Sequence, residues 1–207
     1  MNESHAMRVI SGEAKGRPLF GPAGTFTRPM QDKIKETLFS MLYSLGVQGD
    51  RIADLYAGTG AIGIEALSRG ATQADFVDKN AEACDVVRKN LARTGLADRA
   101  RVHKLTVPGF IARQHEPYDL VFLDPPYADP EIGATMQQLA DSSLIQSGTV
   151  VAIGHWPRLD LPEEIGRLSR LRRRCHGDSC ISLYQADLPP AEGDDLANPT
   201  SDLSGEF

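Results

Sequence analysis

The chain has 207 residues, 41% hydrophobic and 24% charged, which are values for one globular domain with room for a small appendage. It contains no apolar run of the roughly 18–20 residues that span a bilayer, and no basic segment followed by an apolar core at its start, so neither a membrane span nor a signal peptide is expected. Its net charge of −6 argues against a nucleic-acid partner, but Asp187, Glu192, Asp194, Asp195, Asp202 and Glu206 are gathered in a C-terminal stretch without Lys or Arg, and the rest of the chain is neutral.

Residues 7–20 alternate loosely around Gly12, Gly16 and Pro18 and read as a short β-hairpin. A Gly/Pro loop leads to Thr27, Arg28 and Pro29, which open a helix: Thr27 can cap it, and Pro29 sits where a missing N–H costs little. Ile34, Leu38, Met41, Leu42 and Leu45 recur at helical spacing and face a core, and Gly46 and Gly49 end the helix. Arg8, Lys15, Arg17, Arg28, Lys33 and Lys35 make this end basic, either as the footprint of a polyanion or as an ordinary solvated face.

From Arg51 onward strands and helices alternate. Strands are predicted over 52–56, 74–77, 100–105, 118–123 and 149–153, and helices over 61–69, 81–93, 108–113 and 131–140. A weak helix over 162–168 precedes a final strand pair, 168–173 and 179–184. Such alternation builds an α/β fold, a mostly parallel sheet with helices on both faces. The expected organisation is an N-terminal hairpin and helix over 7–46, the alternating domain over 47–185, and a disordered acidic tail over 186–207. Cys84, Cys175 and Cys180 are odd in number and show no CxxC spacing, so three reduced thiols in a cytoplasmic protein, without a metal site, are expected.

Gly58, Gly60 and Gly63 follow the first strand of the alternating block, open a helix and spell a nucleotide-loop pattern, with Asp78 about 20 residues on, at the end of the next strand. Asp54 narrows the ligand. A carboxylate aimed into this cleft repels a pyrophosphate and suits a cation. S-adenosylmethionine (SAM) carries an ammonium for Asp54, a carboxylate for the loop N–H groups and the helix N-terminus, and a ribose diol for Asp78. A helix cap for Asp54 and a plain strand-end acid for Asp78 are the competing readings.

Asp124-Pro125-Pro126-Tyr127 leaves the buried strand over 118–123. Two prolines make a stiff, extended exit. The acid and the carbonyls can accept hydrogen bonds from an amino group, and the ring can stack on a base. A strand-to-loop turn with Pro at the exit is the other reading of these four residues.

Taken together, these stretches resemble the class I SAM-dependent methyltransferases, and more closely the RsmD family, which methylates N2 of a guanine in 16S ribosomal RNA (guanine 966) of the small subunit. The resemblance rests on Arg8 to Leu19, Thr27 to Phe39, Asp54 to Gly60 running on through Glu65 to Gly70, Asp124 to Tyr127, and Gly177 to Tyr184. It implies a Rossmann-like, seven-stranded sheet with its last strand antiparallel. It also implies a SAM site at Asp54, Tyr56, Ala57, Gly58, Thr59, Gly60, Asp78, Lys79, Thr106 and Asp124, with Thr106 standing where the family carries an acid. Further implied are catalytic roles for Asp124, Pro125, Pro126 and Tyr127, and RNA contacts by Arg8, Lys15, Arg17, Arg28, Lys33 and Lys35 of a monomer. After the fifth strand, Gly154-His155 stands where the family often has an acid next to His, and Met30 replaces a small polar residue.

Three other readings share parts of this pattern. DNA adenine and protein glutamine methyltransferases have a similar tetrapeptide but usually begin it with Asn. A nicotinamide-dependent dehydrogenase accounts for the glycines and Asp78 but not for Asp54. A non-catalytic RNA-binding module leaves Asp124 and Tyr127 without a task. His103, His115 and His155 are expected to be structural, and Arg172 to Arg174 a solvated strand end.

Overall fold

The computed structural model describes residues 7–21, 32–126 and 129–187. Helix α1 (Asp32–Ser44) is followed by β1 (Arg51–Leu55), α2 (Ala61–Ser68), β2 (Gln73–Asp78), α3 (Ala81–Thr94), β3 (Ala100–Lys104), α4 (Val107–Ile111), β4 (Tyr118–Leu123), α5 (Ile132–Ala140), β5 (Ile145–His155), β6 (Glu164–Ile165), β7 (Leu168–His176) and β8 (Ser179–Ala186). The strands form one sheet in the order β3-β2-β1-β4-β5-β8-β7-β6. The first five are parallel, and β8, β7 and β6 continue antiparallel from β5.

Strands buried on both faces explain the apolar runs of the sequence. Ile52, Phe76, Leu120, Phe122 and Leu183 face one layer with Leu38 and Leu42 of α1, Leu67 of α2 and Val87 of α3. Leu55, Val77, Val121, Leu123 and Ile153 face the other, with Phe110 of α4 and Met136 and Leu139 of α5.

The sheet has eight strands rather than the seven implied by the resemblance, because the segment predicted as a weak helix over 162–168 is extended. Pro162 and β-branched Ile165 disfavour a helix. Gly166 (φ 57°) then makes a two-residue turn that pairs Ile165 with Leu168. The expected tail also starts too early: Ala186 is the buried last residue of β8, and Asp187 pairs with Arg167. The remainder of the tail, 188–207, and the Thr27 helix opening lie outside the described residues.

The cysteine expectation is corrected as well. Cys175 and Cys180 form a disulfide across β7 and β8, where the two-residue turn at Gly177 and Asp178 sets them opposite each other. Cys84 is free and buried. A rule built on CxxC spacing does not see a cross-strand pair.

Residues 7–20 form a folded loop with one bridge, Arg8 to Pro18, rather than a regular hairpin. They are latched to the domain by buried side chains. Glu65 of α2 accepts from the Ile10 and Ser11 N–H groups at 2.7 and 2.9 Å. Ser68 accepts from Ala14 N–H and donates to Ser11 O. Asn90 of α3 accepts from Phe20 N–H and donates to Phe20 O and Thr59 O. Gly12 (φ 83°) is required, since a Cβ there would lie 1.7 Å from Ser68 O.

At the N-terminal ends of the strands lies a second polar cluster. Asp75 accepts from Tyr118 Oη at 3.0 Å, meets His103 Nε2 at 2.6 Å and lies 3.7 Å from Arg51. Arg51 stacks over the Tyr118 ring and pairs with Glu116.

Candidate active site

The parallel strands end in a cleft of about 1360 Å3. It sits where β1 has β2 on one side and β4 on the other, the switch point at which open α/β sheets bind ligands. Strand β1 brings Asp54 to this edge. The chain then turns through Tyr56, whose φ of 62° is rare for a residue with a side chain, and through Gly58 (φ 56°) and Gly60 (φ 75°) into α2. Gly63 is needed for packing: a Cβ there would lie 2.4 Å from the Phe76 ring.

Asp54 is 1% exposed, and its Oδ2 accepts from Gly63 N–H at 2.9 Å. It therefore caps α2, whose own cap residue, Gly60, has no side chain to do so. It also lines the cleft, so the cap reading and the cleft reading of Asp54 meet in one residue. Burial, then the nearby charges of Asp124 and Asp78, push its carboxyl up to about 8 against the Gly63 bond. Asp124 leaves β4 with its N–H bonded to Leu55 O at 3.4 Å, and burial pushes its carboxyl up to about 7.

Asp78 ends β2. Its two oxygens accept from Gly58 N–H at 3.0 Å and Asn80 N–H at 2.8 Å, which ties the glycine loop to the neighbouring strand. Each oxygen keeps a second lone pair for a ligand hydroxyl. Ala57 donates to Val77 O, and Thr59 is held through its carbonyl by Asn90. Lys79 and Thr106 line the same cleft, and Thr106 caps α4 through Gly109 N–H.

Of the tetrapeptide, Asp124, Pro125 and Pro126 line the cleft, and Pro126 O accepts from Asp129 N–H at 2.9 Å. Tyr127 lies outside the described residues. Asp129 also accepts from Tyr56 Oη at 3.3 Å, so the residues after the prolines brace the strained turn after β1.

The basic end divides. Arg8, Lys15, Arg17 and Lys33 are exposed, and none of them lines the cleft. Lys35, expected to contact RNA, is fully buried: its Nζ donates to Arg8 O at 2.7 Å and lies 3.8 Å from Glu65. Its place on the core face of α1, one residue after Ile34, is the signal that a count of charges misses. Arg28 lies outside the described residues.

Sequence reasoning also missed the wall opposite the glycine loop, formed by Asp129, Glu131, Trp156, Pro157, Arg158 and Asp178. A signal was present, since Trp156-Pro157 leaves β5 much as Asp124-Pro125 leaves β4. His155 is structural as expected: its ring is 2.8 Å from both Ser182 Oγ and Trp156 O.

A parallel sheet extended by an antiparallel hairpin, with a glycine loop at the switch point and buried acids at the ends of the two central strands, defines a Rossmann-like methyltransferase. The chain matches the protein family described as Conserved hypothetical protein 95 over residues 7–185. The chain belongs to that family, the RsmD family of methyltransferases. It is 35% identical to YlbH of Bacillus subtilis over 182 residues, covering 86% of this chain and 98% of that one. It is 32% identical to the ribosomal RNA small subunit methyltransferase D of Escherichia coli K12 over 184 residues, covering 89% and 92%. The solved structure of YhhF from Escherichia coli superposes with a TM-score of 0.76 at 32% identity, covering 87% of this chain and 97% of that one.

Proposed function

We propose that this protein transfers a methyl group from SAM to the exocyclic N2 amine of a guanine in small-subunit ribosomal RNA, guanine 966 by the family resemblance. The observation that carries the proposal is Asp124: an acid held beside Asp54 at the switch point, with its carboxyl raised to about 7.

The cleft suits the cofactor. Among the described residues, six acids line it (Asp54, Asp78, Asp124, Asp129, Glu131 and Asp178) against Lys79 and Arg158, so it favours a sulfonium and an ammonium over a dinucleotide pyrophosphate. Asp54 would hold the ammonium, the N–H groups of the Gly58–Gly60 loop the carboxylate, and Asp78 the ribose hydroxyls, with Lys79 and Thr106 beside them. When bound, SAM supplies a methyl carbon made electrophilic by its sulfonium, which leaves as a neutral thioether.

Asp124 and the Pro125 carbonyl accept the two N–H bonds of the guanine amine. Their placement draws the nitrogen from planar toward tetrahedral and aims its lone pair at the methyl group. Once the new bond forms, the nitrogen is cationic, and Asp124 is placed to take its proton, with an affinity matched to neutral pH. The gain comes from orientation and fixed acceptors. Tyr127 is given the stacking role by its place in the tetrapeptide. The base must leave its stack to enter. Arg8, Lys15, Arg17, Arg28 and Lys33 hold the phosphate backbone outside the acidic cleft.

The test offers labelled SAM with undermethylated small subunits, free 16S rRNA, DNA and protein, followed by mass mapping of the label. Guanine N2 in the rRNA is the expected site. Label in adenine or glutamine, or no transfer to any of the four, would overturn the assignment.

A further inference from the structure

The cleft has two halves. The glycine loop, Asp78 and Thr106 sit over β1, β2 and β3. Trp156, Pro157, Arg158 and Asp178 sit beyond Asp124, over β5 and the β7–β8 hairpin. The first half accounts for the cofactor. The second has no assigned task.

We infer that Trp156 is a stacking platform for an unstacked base of the RNA strand entering the cleft, with the segment 156–158 forming the RNA-binding wall. The inference rests on the RNA methyltransferase reading and adds a residue that neither the glycine loop nor the tetrapeptide contains.

Trp156 is 45% exposed, although a large apolar ring at a surface is costly. Trp156 lines the cleft.

Its backbone is fixed from two sides. His155, 2% exposed, spans from Ser182 Oγ on β8 to Trp156 O. Because Trp156 O can only accept, Nδ1 carries the proton, and Nε2 accepts from the Ser182 hydroxyl. Arg173 of β7 donates to Pro157 O at 2.8 Å, and Leu159 N–H closes a turn on Trp156 O at 3.1 Å. A ring carried on a braced backbone loses little entropy when a base stacks on it.

Charge decides what can lie there. The acidic lining repels bare phosphate, whereas the flat face of a base is tolerated. Arg158, next to the ring, is the cation among the described residues on this side that can meet the phosphate of the stacked nucleotide.

Trp156 is the sole tryptophan of the chain, so its fluorescence reports on this wall alone. A short single-stranded RNA with the target guanine should quench it saturably, and SAM alone should leave it unchanged. Quenching by SAM but not by RNA would overturn the platform and place the ring in the cofactor half. In methyl transfer to rRNA, Trp156→Ala and Trp156→Leu should raise KM for RNA about tenfold, the order expected for one lost base–aromatic stack. Trp156→Phe should restore it. SAM affinity should hold in all three variants, which also shows that they fold. An unchanged KM in Trp156→Ala would overturn the platform. A wild-type protein that is quenched by RNA yet methylates no guanine would sink the proposed reaction and leave the platform standing.

Discussion

The two ends of the sheet treat buried carboxylates in opposite ways. At the N-terminal ends of the strands, burial pushes Asp75 up, but hydrogen bonds from His103 and Tyr118, with Arg51 nearby, outweigh it and hold its carboxyl below the ordinary range. At the C-terminal ends, no cation among the described residues offsets the burial of Asp54 and Asp124, which rise to about 8 and about 7. The first arrangement carries its own cation and hydrogen-bond donors for the acid and stabilises the fold. The second is incomplete without a cation, and that is the property a methyl-donor site requires.

The largest effect expected from breaking this comparison is at Asp124. Asp124→Ala removes the acceptor proposed for the amine and should lower kcat by at least about 10²–10³-fold, the scale for one lost preorganised hydrogen-bonding group. SAM binding, followed by calorimetry, should persist. Turnover close to wild type would remove Asp124 from the mechanism.

Asp75→Ala is the mirror experiment. It leaves the Tyr118 hydroxyl, His103 and Arg51 without their shared acceptor and should cost about 3–5 kcal/mol of stability, as for other broken buried pairs. In denaturant titration the midpoint should fall, while kcat of the folded fraction stays at the wild-type value. A specific loss of kcat would mean that the two ends of the sheet are coupled.

Within the N-terminal latch, Glu65→Gln should destabilise by about 1–3 kcal/mol, the scale for charge-assisted bonds made neutral at the buried Lys35–Glu65 pair. Ile10 and Ser11 bond to different oxygens of Glu65, so the amide keeps an acceptor for only one of the two N–H groups. If thermal unfolding does not shift, the latch does not bear on stability.

Much of the fold was legible because its signals are local. Tyr118–Leu123 is an apolar run bounded by Pro117 and Asp124, and the strand matches it. The helix expected over 81–93 forms as Ala81–Thr94, with Cys84, Val87 and Leu91 buried. What was not legible depends on partners distant in sequence. Lys35 counts as a surface charge until Glu65 and the Arg8 carbonyl are placed beside it. Cys175 and Cys180 pair only once the hairpin register is known. The glycine loop and Asp124 could be found as motifs, whereas Trp156 enters the site only because β5 ends next to β4.

Asp54 offers the most specific effect, and its sign separates the two ends. A carboxyl whose folded pKa is raised binds its proton more tightly in the native state, so stability falls as pH climbs from the ordinary carboxylate value of 3.8 through about 8. Asp75 has the opposite sign: its contribution is present above the ordinary value and is lost on acidification. Asp54→Asn keeps an oxygen for Gly63 N–H and removes the titration. The variant without ligand should therefore gain thermal stability over the wild type as pH rises, with the full gain above about pH 8, and should bind SAM more weakly. A bound ammonium restores the ionised acid in the wild type, so the stabilisation conferred by SAM should grow with pH there and stay flat in Asp54→Asn. Thermal unfolding of both proteins, with and without SAM, across this pH range reads all four curves. If the ligand-free curves run parallel, Asp54 does not titrate in the cleft, and the cation-seeking character of this end of the sheet lies elsewhere.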